Sequence, residues 1–143
     1  NVLDVQVKAA NKFFGCTDKF IGDAGMFHWN TIIPQPDHRN LALQAAKEIE
    51  SNIIELNKKF KQEGIPEIAI GIGVNSGVCI AGNFGATDRF AFRLESSTKV
   101  AGVGTLIGEE TAKSSCYDLK ELDPIEVKGK AKPLRVYTWA ASV

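Results

Sequence analysis

Lys19-Phe20-Ile21-Gly22-Asp23-Ala24-Gly25-Met26-Phe27 is the stretch whose reading decides the fold. It predicts two short strands that turn at Gly22-Asp23, because glycine tolerates the positive φ that a tight hairpin turn demands. The aspartate then stands at the tip. Upstream, Val2, Val5, Ala9, Ala10 and Phe13 recur at three- and four-residue steps with Lys8, Asn11 and Lys12 between them, which favours a helix over Val2 to Phe14, stopped by Gly15.

Downstream, Pro34 and Pro36 mark a loop, and Asp37 is placed to cap the longest helix. Leu41, Ala42, Ala45, Ala46, Ile49, Ile53, Leu56 and Phe60 form its apolar stripe, with Gly64 and Pro66 ending it. Ile68 to Val74 alternates large aliphatic residues with Ala or Gly and predicts a strand. Ser76-Gly77 turns it into a second strand over Val78 to Gly82, so that the two form a hairpin. Further expectations are a short helix over Arg93 to Ala101, a strand over Thr105 to Gly108 and a short helix over Glu109 to Ser115. Two closing strands follow, Ile125 to Lys128 and Leu134 to Trp139. Mixed helices and strands with prominent hairpins predict an α+β fold: a ferredoxin-like sandwich with a mainly antiparallel sheet and helices packed on one face.

Composition sets the bounds. The 143 residues suit one domain with a real core. Lys and Arg total 17, as do Asp and Glu, so the counterion release that drives nucleic-acid binding has no source and a nucleic-acid partner is not expected. Cys16, Cys79 and Cys116 are odd in number and lack zinc or disulfide spacing, which fits a reducing, cytoplasmic setting. No apolar run approaches the ~20 residues of a membrane span. A soluble segment is expected, in a parent protein free to carry membrane or regulatory domains elsewhere.

Chemistry-bearing residues are few. Asp23, exposed at a turn between small neighbours, suits a hard cation such as Mg²⁺, which takes one or two carboxylates plus substrate phosphates. A turn aspartate bonding its own backbone is the competing reading. Lys19 is equally readable as a solvated surface lysine. The glycines at 71, 73, 77, 82 and 85 miss the dinucleotide fingerprint by one position, and no Gly-Lys-Ser/Thr follows. Lys128, Lys130 and Lys132 alternate with small residues and suit either phosphates or a solvated strand edge. His28 and His38 have no partner at ligand spacing, and Cys79 reads as a core residue.

Taken in order, Asp18-Lys19-Phe20-Ile21-Gly22-Asp23-Ala24, Trp29-Asn30, Pro36-Asp37-His38, Ile70-Gly71-Ile72-Gly73-Val74-Asn75-Ser76-Gly77, Ala81-Gly82-Asn83-Phe84-Gly85, Arg89-Phe90-Ala91-Phe92, Arg93-Leu94-Glu95 and Val127-Lys128-Gly129-Lys130 form a series. The series resembles the landmarks of class III adenylyl cyclases over nearly everything from Gly15 to Trp139. In that family two protomers pair head to tail around ATP, and two aspartates hold two Mg²⁺ or Mn²⁺ ions. The ribose 3′-hydroxyl attacks the α-phosphorus to give cyclic AMP and pyrophosphate. The resemblance implies that Asp23 is the second metal-binding aspartate, Lys19 the lysine that reads adenine, Arg93 the transition-state arginine and Lys128 the phosphate lysine. Lys19 and Asp23 would then serve opposite sites of a homodimer. Guanylyl cyclases resemble the same motif but usually carry glutamate where Lys19 stands. Adenine ring nitrogens accept hydrogen bonds that a lysine donates and a carboxylate cannot, so ATP is the expected substrate.

Two departures bear on this. The family's first metal aspartate lies in a strand ending Asp-x-x-Gly-Phe-Thr, which nothing before Gly15 matches. Family members also carry a segment resembling Thr-Val-Ile-Gly-Asp-x-Val-Asn-x-Ala-Ser, with a second adenine-reading side chain and a transition-state asparagine, between the counterparts of Phe92 and Arg93. These two residues are adjacent here. Residues 1–143 are therefore read as one cyclase domain with segments missing before residue 15 and between 92 and 93, not as a natural deletion. An intact mass matching only these residues refutes that. Gly25, Phe27 and His28 stand where the family tends to have Val, Ala and Phe, and a glycine inside a strand predicts a locally loose hairpin. The alternatives are a guanylyl cyclase, an inactive cyclase-like module that dimerises or regulates, and an unrelated ferredoxin-like binding domain.

Overall fold

The computed structural model describes residues 2–78, 98, 103–126 and 132–140. The chain divides into two compact units, Asn1–Ile70 and Gly71–Val143.

The first unit holds α1 (Val2–Lys12), an antiparallel pair β1 (Cys16–Ile21) and β2 (Ala24–His28), and the long helix α2 (His38–Gln62). Ala9 and Ala10 of α1 are buried, as are Leu43, Ala45, Ala46, Ile49 and Ile53 of α2. Small residues at buried helix positions let two helices approach closely, and Lys12 Nζ joins Glu48 Oε1 across them at 2.9 Å. Leu43, absent from the predicted stripe, is wholly buried, while Leu41, Ala42, Leu56 and Phe60 are only half-buried. The buried line steps through 43, 46, 49 and 53, so the stripe is rotated slightly from the predicted one. Asp37 stands at the N-cap of α2 as expected, though its carboxylate accepts from Asn40 Nδ2 at 3.0 Å rather than capping a backbone N–H. Gly64, at φ +72°, follows the C-cap residue Glu63.

The second unit is a four-stranded sheet in the order β3-β4-β6-β5, made of β3 (Ile72–Val74), β4 (Thr105–Gly108), β5 (Leu119–Glu121) and β6 (Val136–Trp139). The short helix α3 (Glu109–Ala112) follows β4 directly. Leu106, Ile107 and Val136 are completely buried, and Val103, Leu122, Ile125 and Leu134 pack against Leu106 and Val136. Arg135 Nε donates to Glu121 Oε1 at 2.6 Å, and an Arg135 Nη lies 3.5 Å from Glu109 Oε1, so one guanidinium reaches carboxylates on β5 and α3.

The mixed α+β architecture and the mainly antiparallel pairing are as the sequence predicts: among the described strands only β3 and β4 run parallel. Several boundaries differ. The strand predicted over Ile68–Val74 is present at Ile72–Val74, and at the predicted start one side chain takes both backbone polar groups of Ile68. Its N–H donates to Asn57 Oδ1 at 2.7 Å and its carbonyl accepts from Asn57 Nδ2 at 2.8 Å. The helix predicted to Ser115 ends at Ala112, and β5 was not anticipated. Ile125 pairs with Leu134 as a single bridge. The strand over Val78–Gly82, the helix over Arg93–Ala101 and the end of Ile125–Lys128 lie wholly or mostly outside the described residues.

Candidate functional site

The hairpin forms where the sequence places it. Ile21 pairs with Ala24, leaving Gly22-Asp23 as a two-residue turn, and Gly22 adopts φ +61°. A positive φ at the first turn position alone is the arrangement that demands glycine there. Asp23 is exposed at the tip, and nothing lies within 4 Å of where a side chain on Gly22 would begin. Asp23 is thus open to solvent at a turn with free space around Gly22.

Lys19 sits opposite Met26 and is half-buried, whereas Thr17 sits opposite Phe27. Asp18 is the extra residue of a β-bulge between them, and its Oδ2 lies 3.8 Å from Lys19 Nζ. Bulges break the ladder locally and re-aim side chains. Lys19 and Asp23 thus lie on one hairpin, four residues apart. Arg93 and Lys128, like Lys130 and Cys79, lie outside the described residues, and Lys132 is exposed.

The hairpin is tied down at several points. Gln6 Oε1 of α1 accepts the Gly25 N–H at 3.0 Å. Trp29 Nε1 donates to the Phe13 carbonyl at 2.8 Å, and the indole lies where a Cβ on Gly15 would fall, 2.5 Å from its nearest carbon. Asn30 and Gln35 exchange backbone-to-side-chain hydrogen bonds in both directions, and Gln35 Nε2 also donates to the Phe14 carbonyl at 3.0 Å. Phe14 and Asn30 both hold positive φ, at +64° and +62°, where these bonds converge. The two ends of the hairpin are therefore closed against the end of α1. His28 Nδ1 contacts Thr31 Oγ1, and His38 Nδ1–H donates to the Gln35 carbonyl at 3.0 Å, so each imidazole serves a local bond.

The loose hairpin expected from Gly25 is not what the structure holds. A Cβ at residue 25 would fall 2.5 Å from Gln6 Oε1 and 2.8 Å from two ring carbons of Phe27, so the space is already filled by its neighbours. Gln6 and the bulge at Asp18 escaped the sequence reading: a lone Gln in an amphipathic helix carries no signal, and a bulge has none in a six-residue strand.

No group of three or more His, Cys, Asp and Glu side chains among the described residues is arranged to hold a metal ion. Among the described residues, the exposed carboxylate of Asp23 fits a cation that completes its shell with water and phosphate oxygens, not an all-protein cage. For a pair of ions it supplies only one of the two carboxylates that the resemblance calls for.

No protein-family profile matches the chain. It is 29% identical to the adenylate cyclase of Anabaena cylindrica, an alignment that covers 91% of this chain and 29% of that protein. That alignment runs over 150 positions, more than the 143 residues present here, so the Anabaena protein carries residues without a counterpart in this chain. Adenylate cyclase 1 of Rhizobium meliloti is 24% identical over 86% of the chain and 20% of its own length. Among solved structures, the adenylyl cyclase CyaB from P. aeruginosa superposes with a TM-score of 0.82 at 28% identity, covering all of this chain and 80% of that one. The chain thus spans under a third of the length of the curated adenylate cyclases it matches. These likenesses bear out the resemblance to class III nucleotide cyclase catalytic domains, in fold and in sequence.

Proposed function

We propose that this chain is the catalytic portion of an adenylyl cyclase, which converts ATP to cyclic AMP and pyrophosphate at the interface of a homodimer in intracellular signalling. The observation that carries this is the pairing on one hairpin of a turn carboxylate, Asp23, with a lysine, Lys19, at the position that meets the base in the related family. Lys19 donates hydrogen bonds to ring nitrogens of adenine, and its ammonium has no acceptor with which to read the donor edge of guanine. Asp23 offers carboxylate oxygens to a divalent ion held jointly with the triphosphate. Mg²⁺ or Mn²⁺, when bound, supplies charge neutralisation at the phosphates and activation of the ribose 3′-hydroxyl. As that oxygen bonds the α-phosphorus, the bond to the departing pyrophosphate breaks, and Arg93 and Lys128 are assigned to the charge that builds on the phosphoryl oxygens. Exposed Phe20 and Ile21 on the hairpin, with Ile32 and Ile33 beyond it, favour burial against a second protomer.

The test is a cyclic AMP assay with Mn²⁺ on the full-length protein, with the segments read as missing in place, beside its Asp23→Ala variant. Product from the wild type and none from the variant at equal thermal stability is the expected result, and undiminished turnover by Asp23→Ala removes that residue from the metal site. Cyclic GMP as the main product makes the protein a guanylyl cyclase. A second reading, an inactive cyclase-like module that dimerises or regulates, wins if the full-length protein has no counterparts of the first metal aspartate and of the asparagine segment, since one carboxylate cannot hold both ions. Self-association without product from either nucleotide supports it.

A further inference from the structure

In a regular strand, successive side chains point to opposite faces of the sheet, so residues 18 and 19 should be kept apart. They are not. The register slips by one residue between Thr17 and Lys19, leaving Asp18 unpaired in the ladder, and its carboxylate reaches to 3.8 Å from Lys19 Nζ. Both side chains remain partly open to solvent, 46% for Asp18 and 36% for Lys19, so the pair stands at a surface that a ligand can approach.

We propose that Asp18 is a positioning residue for Lys19: the β-bulge sets its carboxylate beside the ammonium and so sharpens the selection of adenine over guanine. The inference rests on the reading of Lys19 as the base-contacting side chain. A lysine is a flexible four-carbon stem ending in three equivalent donors, and left alone it samples many directions. A carboxylate at its side draws the ammonium toward one of them and leaves the remaining N–H groups for a ring nitrogen. Asp18 also offsets part of the lysine charge, so that attraction to any nucleotide, regardless of base, contributes less than the directed hydrogen bond. A solvent-exposed pair of this kind is weak and screened by salt, which gives the role a signature that simple structural support lacks.

The experiment compares the wild-type chain with Asp18→Asn, which keeps size and polarity but removes the charge. Equilibrium binding of ATP and GTP in the presence of Mn²⁺ is measured at low and high ionic strength, with cyclic-product kinetics alongside and a thermal melt to establish equal folding. In the wild type the ATP-over-GTP binding ratio should fall as salt rises. In Asp18→Asn it should begin about two- to fivefold lower and stay flat, the size expected for one exposed ion pair, with any turnover affected through KM and not kcat. A wild type that binds GTP better than ATP sinks the reading of Lys19 itself. A wild type that prefers ATP, beside a variant with the same ratio and the same salt dependence, leaves Lys19 standing and overturns the role of Asp18.

Discussion

The ring of Phe27 fills the space that a side chain at residue 25 would need: a Cβ on Gly25 would fall 2.8 Å from two of its carbons. In the related family a larger residue tends to stand at the first position and a small one at the second, so side-chain volume on this strand has moved along by two residues, on one face of β2. Gly25→Ala is therefore expected to destabilise the chain by about 1–3 kcal/mol through overpacking, even though alanine is otherwise preferred to glycine inside a strand. Chemical denaturation measures it. The double variant Gly25→Val with Phe27→Ala should be more stable than the two single changes predict together, by about 1 kcal/mol or more. Simple additivity would show that the two positions do not share the space.

Trp29 and Gly15 make a second coupled pair. The indole packs where a Gly15 side chain would lie, while its Nε1 donates to the Phe13 carbonyl. Gly15→Ala must push the ring aside and break that bond, and a loss of about 2–3 kcal/mol in unfolding free energy is expected. Trp29→Phe retains aromatic bulk but leaves the carbonyl without its donor, so about 1 kcal/mol is the expected loss. Equal effects from both changes would argue against the steric half of this account.

These relationships separate what the sequence discloses from what it hides. The hairpin was legible because Gly22-Asp23 is a local signal: turn chemistry acts over two residues and needs no partner elsewhere. Lys19 and Asp23 became legible as candidate site residues only through the ordered motif series, since neither differs by composition from a surface lysine or a turn aspartate. Leu119-Lys120-Glu121 has a single apolar residue and no alternation worth the name; it is a strand because Trp139, Thr138 and Tyr137 lie opposite it. The parallel pairing of β3 with β4 is likewise a property of two segments about thirty residues apart, beyond the reach of periodicity. Ile68 reads as strand by alternation, yet one asparagine eleven positions earlier captures its backbone.

Acid should loosen the second unit through Glu121. The hydrogen bond from Arg135 holds the Glu121 carboxyl below its ordinary value, and the same bond raises Arg135, which stays charged across the accessible range. A carboxyl lowered by folding lends stability that is present above its unfolded value and lost as pH falls through its folded one. The stability of the wild type should therefore decline as the medium is acidified below the ordinary carboxylate range, and Glu121→Gln should flatten that part of the curve. The effect is small and salt-sensitive because both side chains are about half-exposed. Thermal melts across pH at low and high salt check it, and an unchanged acid limb in Glu121→Gln would assign the decline to other carboxyls.

Base preference gives the sharpest test of the hairpin as a nucleotide-reading element. Lys19→Glu replaces a side chain that only donates with one that only accepts, so the complementary base changes from the acceptor-bearing edge of adenine to the donor-bearing edge of guanine. A site built around a specific hydrogen bond rejects the wrong partner strongly, and kcat/KM for ATP should fall by about tenfold or more. Gain of GTP activity should lag behind, because the new carboxylate stands at the bulge beside Asp18, where the present lysine finds an opposite charge and a glutamate finds a like one. Asp18→Asn combined with Lys19→Glu relieves that repulsion and should favour GTP more than Lys19→Glu alone. Product analysis of both variants with each nucleotide decides the matter: ATP selectivity that survives Lys19→Glu would mean that the base is read by residues elsewhere in the chain.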